Sequence, residues 1–147
     1  MRLALTKVNE SKAAQAHMQD RISAKTILLV EDERPVRAVY SLVLRRNGYR
    51  VIEADSGGVA LSLARKHLPD LILSDVVISD IDGITLLRQV RRHPQLKFRQ
   101  FVLMSGSPDL VTSYKGIDRA DDFLVKPFGL QVLLSCIKAR FGSVSMI

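Results

Sequence analysis

Five short apolar runs recur along the chain: ILLV at 27–30, VIEA at 51–54, LILSD at 71–75, FVLMS at 101–105 and DFLVK at 122–126. Runs of this length that are apolar almost throughout suit strands buried on both faces. Helical patterns separate them. Val36, Val39, Tyr40, Val43 and Leu44 recur at helical spacing and stop at Asn47-Gly48, a typical C-terminal cap. Val59, Leu61, Leu63, Ala64 and Leu68 mark a second helix ended by Pro69. Ile84, Leu86, Leu87 and Val90 mark a third, with Asp82 as N-cap and Pro94 beyond its end. Leu130, Leu133, Leu134 and Ile137 mark the last. Segment 108–116 is the weakest helix, because Val111, Thr112 and Ser113 are poor helix formers and Gly116 interrupts it. Strands alternating with helices predict right-handed crossovers and an α/β fold, its parallel sheet covered on both faces.

The ends of the runs carry the chemistry. Glu31 and Asp32 close the first, Asp75 the third, Ser105 the fourth, and Lys126-Pro127 the fifth. In an open parallel sheet, segments leaving the carboxyl ends of neighbouring strands converge on one crevice. Carboxylates and an ammonium gathered there point to a metal and phosphate site. A single Asp at a strand end is more often a cap or turn residue, and Asp55, Asp70, Asp80, Asp82 and Asp109 take that reading.

With 147 residues the chain suits one domain, predicted over 25–142, between a flexible extension at 1–24 and a tail at 143–147. The apolar runs fall short of the roughly 20 residues a membrane helix needs, and the start has no signal-peptide core. The lone cysteine, Cys136, lies in an apolar helical stretch and reads as a buried thiol. These features suggest a reducing, cytoplasmic setting away from membranes. His17, His67 and His93 have no metal-ligand spacing and read as exposed. The net charge of +7 raises nucleic-acid binding, but Arg45, Arg46, Arg65, Lys66, His67, Arg91, Arg92, Lys138 and Arg140 fall in last turns of helices, where cations complement the helix dipole. The molecule is therefore expected to be bipolar, acidic at the crevice and basic opposite. Without a DNA-reading motif or aromatic interleaving, sequence-specific DNA binding is not expected.

Four motifs in order, VEDE (30–33), LSDVVISDIDG (73–83), Met104-Ser105-Gly106 and DDFLVKPF (121–128), resemble the receiver domain of bacterial response regulators. The resemblance implies a doubly wound, flavodoxin-like sheet of five strands in the order 2-1-3-4-5. It implies that Asp75 is the phosphoacceptor, a carboxylate nucleophile forming a mixed anhydride. It implies one Mg²⁺ held by Asp32, Asp75 and the backbone carbonyl of Val77, with Glu31 acting through water, and Lys126 pairing with a phosphate oxygen. Three crowded carboxylates would raise one another's pKa in the empty site. Ser105 and Phe123 correspond to the switch pair, which couples the site to a surface formed by segment 108–116, the strand at 122–126 and the last helix. The Lys126-Pro127 bond is expected to be cis.

The chain departs from the family pattern in places. Ile78-Ser79 stands where Met-Pro is usual, so the loop over the site is expected to be looser, and Arg119 replaces a common glycine. Phe123 replaces the commoner tyrosine. Val77 and Ser107 occupy the variable positions that modulate how water reaches the phosphoryl group.

The function implied is a single-domain response regulator. It accepts a phosphoryl group on Asp75 from a sensor histidine kinase or histidine phosphotransfer protein and signals to a downstream protein, with homodimerisation left open. It would catalyse only its own Mg²⁺-dependent phosphorylation and dephosphorylation. The alternative is an interaction module of the same fold whose partner binding is constitutive. An aspartyl phosphatase is disfavoured, since such enzymes need a second acid where Val77 stands.

Overall fold

The computed structural model describes residue 12, residues 24–109 and residues 119–142. Its strands are β1 (Thr26–Val30), β2 (Arg50–Ala54), β3 (Leu71–Asp75), β4 (Gln100–Ser105) and β5 (Asp122–Val125). Its helices are α1 (Arg34–Arg46), α2 (Gly57–His67), α3 (Gly83–Arg92) and α4 (Leu130–Arg140). Every strand pairing is parallel and the order is β2-β1-β3-β4-β5, as expected. Most of the expected extension at 1–24, residues 110–116 of the weak helical segment, and the tail at 143–147 lie outside the described residues.

The apolar runs are continuous because the sheet is covered on both sides. Leu28, Val30, Ile72, Phe101 and Leu103 point to one face and pack with Ala60 and Ala64 of α2 and with Ile84, Leu87 and Val90 of α3. Ile27, Leu29, Leu71, Leu73, Val102 and Met104 point to the other and pack with Leu44 of α1 and with Leu133 and Ile137 of α4. Each such aliphatic side chain contributes about 1.5–3 kcal/mol when fully buried. Cys136 belongs to the second cluster and its thiol is pushed up to about 12 by burial and by Asp122, so it is inert near neutral pH.

Local chemistry sets the helix ends. In α1, Pro35 occupies the first turn, Asn47 caps the end, and Gly48 follows at φ 92°. In α3, Asp82 accepts from Thr85 N at 2.7 Å, the predicted N-cap. In α2, Ser56 accepts from Val59 N at 3.3 Å, and Leu68 closes the helix in the left-handed region at φ 48° just before Pro69.

Arg91 does more than complement a helix dipole. Its guanidinium donates to Arg119 O at 2.7 Å, Arg99 O at 2.7 Å and Lys97 O at 3.1 Å, and it pairs with Asp121 Oδ2 at 2.8 Å. Asp121 Oδ2 also accepts from Phe101 N at 2.7 Å. One planar fork thus ties the chain entering β4 to the chain entering β5, a geometry lysine could not supply. Of the histidines, His67 is exposed as expected and His93 is half-buried, accepting from Gln95 N at 3.2 Å; His17 lies outside the described residues. No helix among the described residues is long and apolar enough to cross a membrane.

Candidate functional site

Strand order reverses about β1 and β3, which is where doubly wound sheets open a crevice beyond their carboxyl ends. The parallel register sets Val30 against Ser74, so the residues that follow, Glu31 and Asp75, stand side by side at that crevice. On β4 and β5, Ser105 is level with Val125, and Lys126 N donates to Ser105 O at 2.8 Å. Lys126 therefore leaves the sheet beside the acids, and the Lys126–Pro127 bond is cis.

Side chains complete the cluster. Lys126 Nζ bonds Asp75 Oδ2 and lies 3.6 Å from Glu31 Oε2. Asp75 Oδ1 accepts from Val77 N at 3.1 Å. Glu31 is 1% exposed and its Oε2 accepts no hydrogen bond. Burial first, then the neighbouring Asp75 charge, pushes its carboxyl up to about 7, against the pull of Lys126. For Lys126, burial acts to lower the ammonium, but the bond to Asp75 and the charges of Asp75 and Glu31 outweigh it and leave the group raised.

The other expected residues are placed less tightly. Asp32 is exposed, and among the described residues no three acidic, histidine or cysteine side chains converge enough to cage an ion. The crowding expected among three carboxylates is thus confined to Glu31 and Asp75, because the chain turns outward after Glu31. Val77 is 74% exposed and reaches Asp75 through its amide. Ser105 is buried, and its Oγ accepts from Ser107 N at 3.0 Å and donates to Ser107 O at 3.3 Å. Phe123 sits opposite Leu103, half-buried against the α2 and α3 side of the core.

Three further residues hold the elements around this cluster, among them Tyr40, read from sequence as an apolar helix position, and Asp80, read as a cap or turn residue. Tyr40 stacks on Phe128, with ring centroids 5.8 Å apart, and its hydroxyl is raised chiefly by burial, with the charges of Lys126, Glu31 and Asp75 also acting on it. Its helical spacing marked it only as an apolar position. Arg37 donates to Glu31 O at 2.8 Å and pairs with Glu53 at 3.4 Å, fixing the chain as it leaves β1. Asp80 bonds the backbone at the start of α2, with Gly57 N donating to its Oδ1 at 3.0 Å. The loop expected to be loose is held there, and also by Gly57 N donating to Ser79 O at 3.3 Å.

The family model described as the response regulator receiver domain matches residues 27–138. The chain belongs to this family. It is 38% identical to the transcriptional regulatory protein AfsQ1 of Streptomyces coelicolor over 78% of its own length and 50% of that protein's. It is 33% identical to histidine kinase P4 of Formosa agariphila, over 78% of its own length and 8% of the kinase. The high-resolution structure of chemotaxis response regulator CheY4 of Vibrio cholerae superposes with a TM-score of 0.74 at 31% identity, covering 80% of this chain and 98% of that one. The chain thus spans half or less of the length of these two curated relatives.

Receiver domains as a family bind Mg²⁺ at the phosphorylation site. The residues of this receiver fit such an ion. Its donors are hard oxygens, and Glu31 Oε2 is a buried acceptor that receives no hydrogen bond, with the Lys126 ammonium 3.6 Å away. One or two carboxylates completed by water suit Mg²⁺.

Proposed function

We propose that residues 25–142 form a receiver that takes a phosphoryl group onto Asp75 from a phosphohistidine of a sensor histidine kinase or phosphotransfer protein. It then signals to a downstream protein through a phosphorylation-dependent face. The observation that carries this reading is the Asp75 carboxylate at the switch point of the sheet, held by Val77 N–H on one oxygen and Lys126 on the other.

In the transfer, an Asp75 oxygen forms a bond to phosphorus as the donor's P–N bond breaks, and the imidazole nitrogen keeps the bonding pair. Charge spreads over the equatorial phosphoryl oxygens, so positioning and neutralisation dominate. Lys126 then moves its ammonium from the carboxylate to a phosphoryl oxygen. Asp75, Asp32 and the Val77 carbonyl, with Glu31 through water, would hold a Mg²⁺ ion, whose charge would further neutralise the phosphoryl oxygens. Ser105 Oγ, whose bond to Ser107 O is long at 3.3 Å, turns to donate to the phosphoryl group. Phe123, half-buried beside β4, follows that movement and alters the β5 and α4 surface.

The test uses a histidine-phosphorylated protein donor. Transfer to the wild type and not to Asp75→Asn, with partner affinity changing only in the wild type, is expected. Equal affinity of both proteins under phosphorylating conditions favours the constitutive interaction module.

Val77 governs the lifetime of the phosphoryl state in this reading. Its exposed apolar side chain cannot orient an attacking water. A hydrogen bond worth ~1 kcal/mol to that water would speed hydrolysis about fivefold. Val77→Asn is therefore expected to shorten the lifetime by that factor, followed as decay of the phosphorylated mass. An unchanged decay rate removes Val77 from this role.

A further inference from the structure

We propose that Asp80 is a positioning residue for phosphorylation, strapping the loop that carries Val77 to the start of α2. The inference rests on Asp75 being the phosphoacceptor and Val77 a ligand-bearing neighbour. The loop's base is closed by Val76 N donating to Met104 O at 2.9 Å and Gly83 N donating to Val76 O at 2.8 Å. Its far end is held by Asp80. Oδ1 accepts from Gly57 N at 3.0 Å and from the next amide, Ile81 N, while Oδ2 accepts from Gly58 N at 3.0 Å. Ser56 and Ser79 also form a parallel bridge. Val77 lies between these two anchorages, so its amide, on Asp75, and its carbonyl are fixed from both sides.

Several independent features serve this contact. Asp80 stands at φ 63°, a left-handed conformation few side chains other than Asp and Asn adopt readily. The helix it meets has no acid in its own first turn, so Asp80 brings the negative charge to the positive end of the α2 dipole. Gly57 and Gly58 leave the room it needs. A Cβ on Gly58 would stand 2.6 Å from Asp80 Oδ2, and one on Gly57 would strike Ile81. A helix beginning Gly-Gly is otherwise poorly served by its own residues.

The decisive variants are Asp80→Ala, Asp80→Gly and Asp80→Asn in the full chain. Two readouts are taken: the Mg²⁺ dissociation constant by calorimetry with MgCl₂ alone, and the initial rate of Asp75 phosphorylation by acetyl phosphate. Removal of a group that orients a metal ligand typically weakens metal binding or activity at least tenfold, so about a tenfold loss in both is expected for Ala and Gly. Asn keeps an acceptor in the place of Oδ1 and is expected to recover most of that loss. Gly relieves the left-handed backbone without restoring the acceptor. A Gly variant equal to wild type assigns the residue to backbone conformation alone and overturns the proposal, as does Asn as impaired as Gly. If Ala does not fold, the Gly and Asn pair decides. A wild-type protein that neither binds Mg²⁺ nor accepts phosphate sinks the site reading itself, whereas labelling of wild type and Asp80→Gly at one rate sinks only the strap.

Discussion

Glu31→Gln is expected to raise the unfolding midpoint of the metal-free protein at pH 8 and to flatten its dependence on pH. Glu31 is 1% exposed, and burial and Asp75 lift its carboxyl from 4.5 to about 7 despite Lys126. The folded state therefore binds this proton more tightly than the unfolded chain does. The stability this gives is fully present below pH 4.5 and is lost as pH rises through about 7. At ~1.4 kcal/mol per tenfold difference in proton affinity, the loss amounts to roughly 3 kcal/mol. For a domain of this size that is roughly 10 °C in Tm. Glutamine keeps the shape without the buried charge. Thermal unfolding in chelator at pH 5 and pH 8, on both proteins, isolates Glu31 from other titrating groups. Mg²⁺ should return most of the lost stability to the wild type at pH 8, because it pairs with the charge that burial leaves exposed to repulsion. A variant that melts with the wild type at pH 8 contradicts the account.

Removing Lys126 should separate two effects that move in opposite directions. The ammonium pairs with Asp75 and Glu31, whose oxygens a divalent cation also needs. In Lys126→Ala the two carboxylates face each other alone, and the metal-free protein is expected to lose about 3 kcal/mol, the low end for breaking a buried pair, since the Lys126 side chain is 29% exposed. Mg²⁺ then enters without displacing a cation. Two unit charges at 4 Å interact by about 4 kcal/mol at an effective dielectric constant of 20. Discounted for solvent screening to ~1.4 kcal/mol, that makes Mg²⁺ binding about tenfold tighter. Calorimetric titration with MgCl₂ and denaturant unfolding on the same preparations measure both. Weaker Mg²⁺ binding in the variant would place Lys126 among the residues that build the metal site and not among its competitors.

The sheet was legible because burial on both faces leaves β1, β3 and β4 apolar almost throughout, and a polar residue ends each run where the strand leaves the core. Asp75, Glu31 and Lys126 could be found for the same reason, since a parallel sheet brings strand ends together whatever separates them in sequence. Contacts that depend on how a loop returns were not legible. Asp80 read as a local turn residue, yet besides the adjacent Ile81 amide it accepts from Gly57 and Gly58, more than twenty positions earlier. Ile78-Ser79 read as loosening the loop, but Ile78 is buried and the Ser79 carbonyl is bonded by Gly57. Arg91 read as a helix-end cation because its carbonyl partners carry no side-chain signature. Asp32 shares a motif with Glu31, yet adjacent residues point apart once a strand ends, and only Glu31 is buried.

Phosphoryl transfer to Asp75 is tested by intact mass after incubation with acetyl phosphate. Wild type and Asp75→Asn are compared with and without Mg²⁺. One phosphoryl adduct is expected in the wild type, dependent on Mg²⁺ and absent from the variant. An adduct of equal yield on Asp75→Asn, or none on the wild type at any Mg²⁺ concentration and none from a histidine-phosphorylated protein donor, would contradict it.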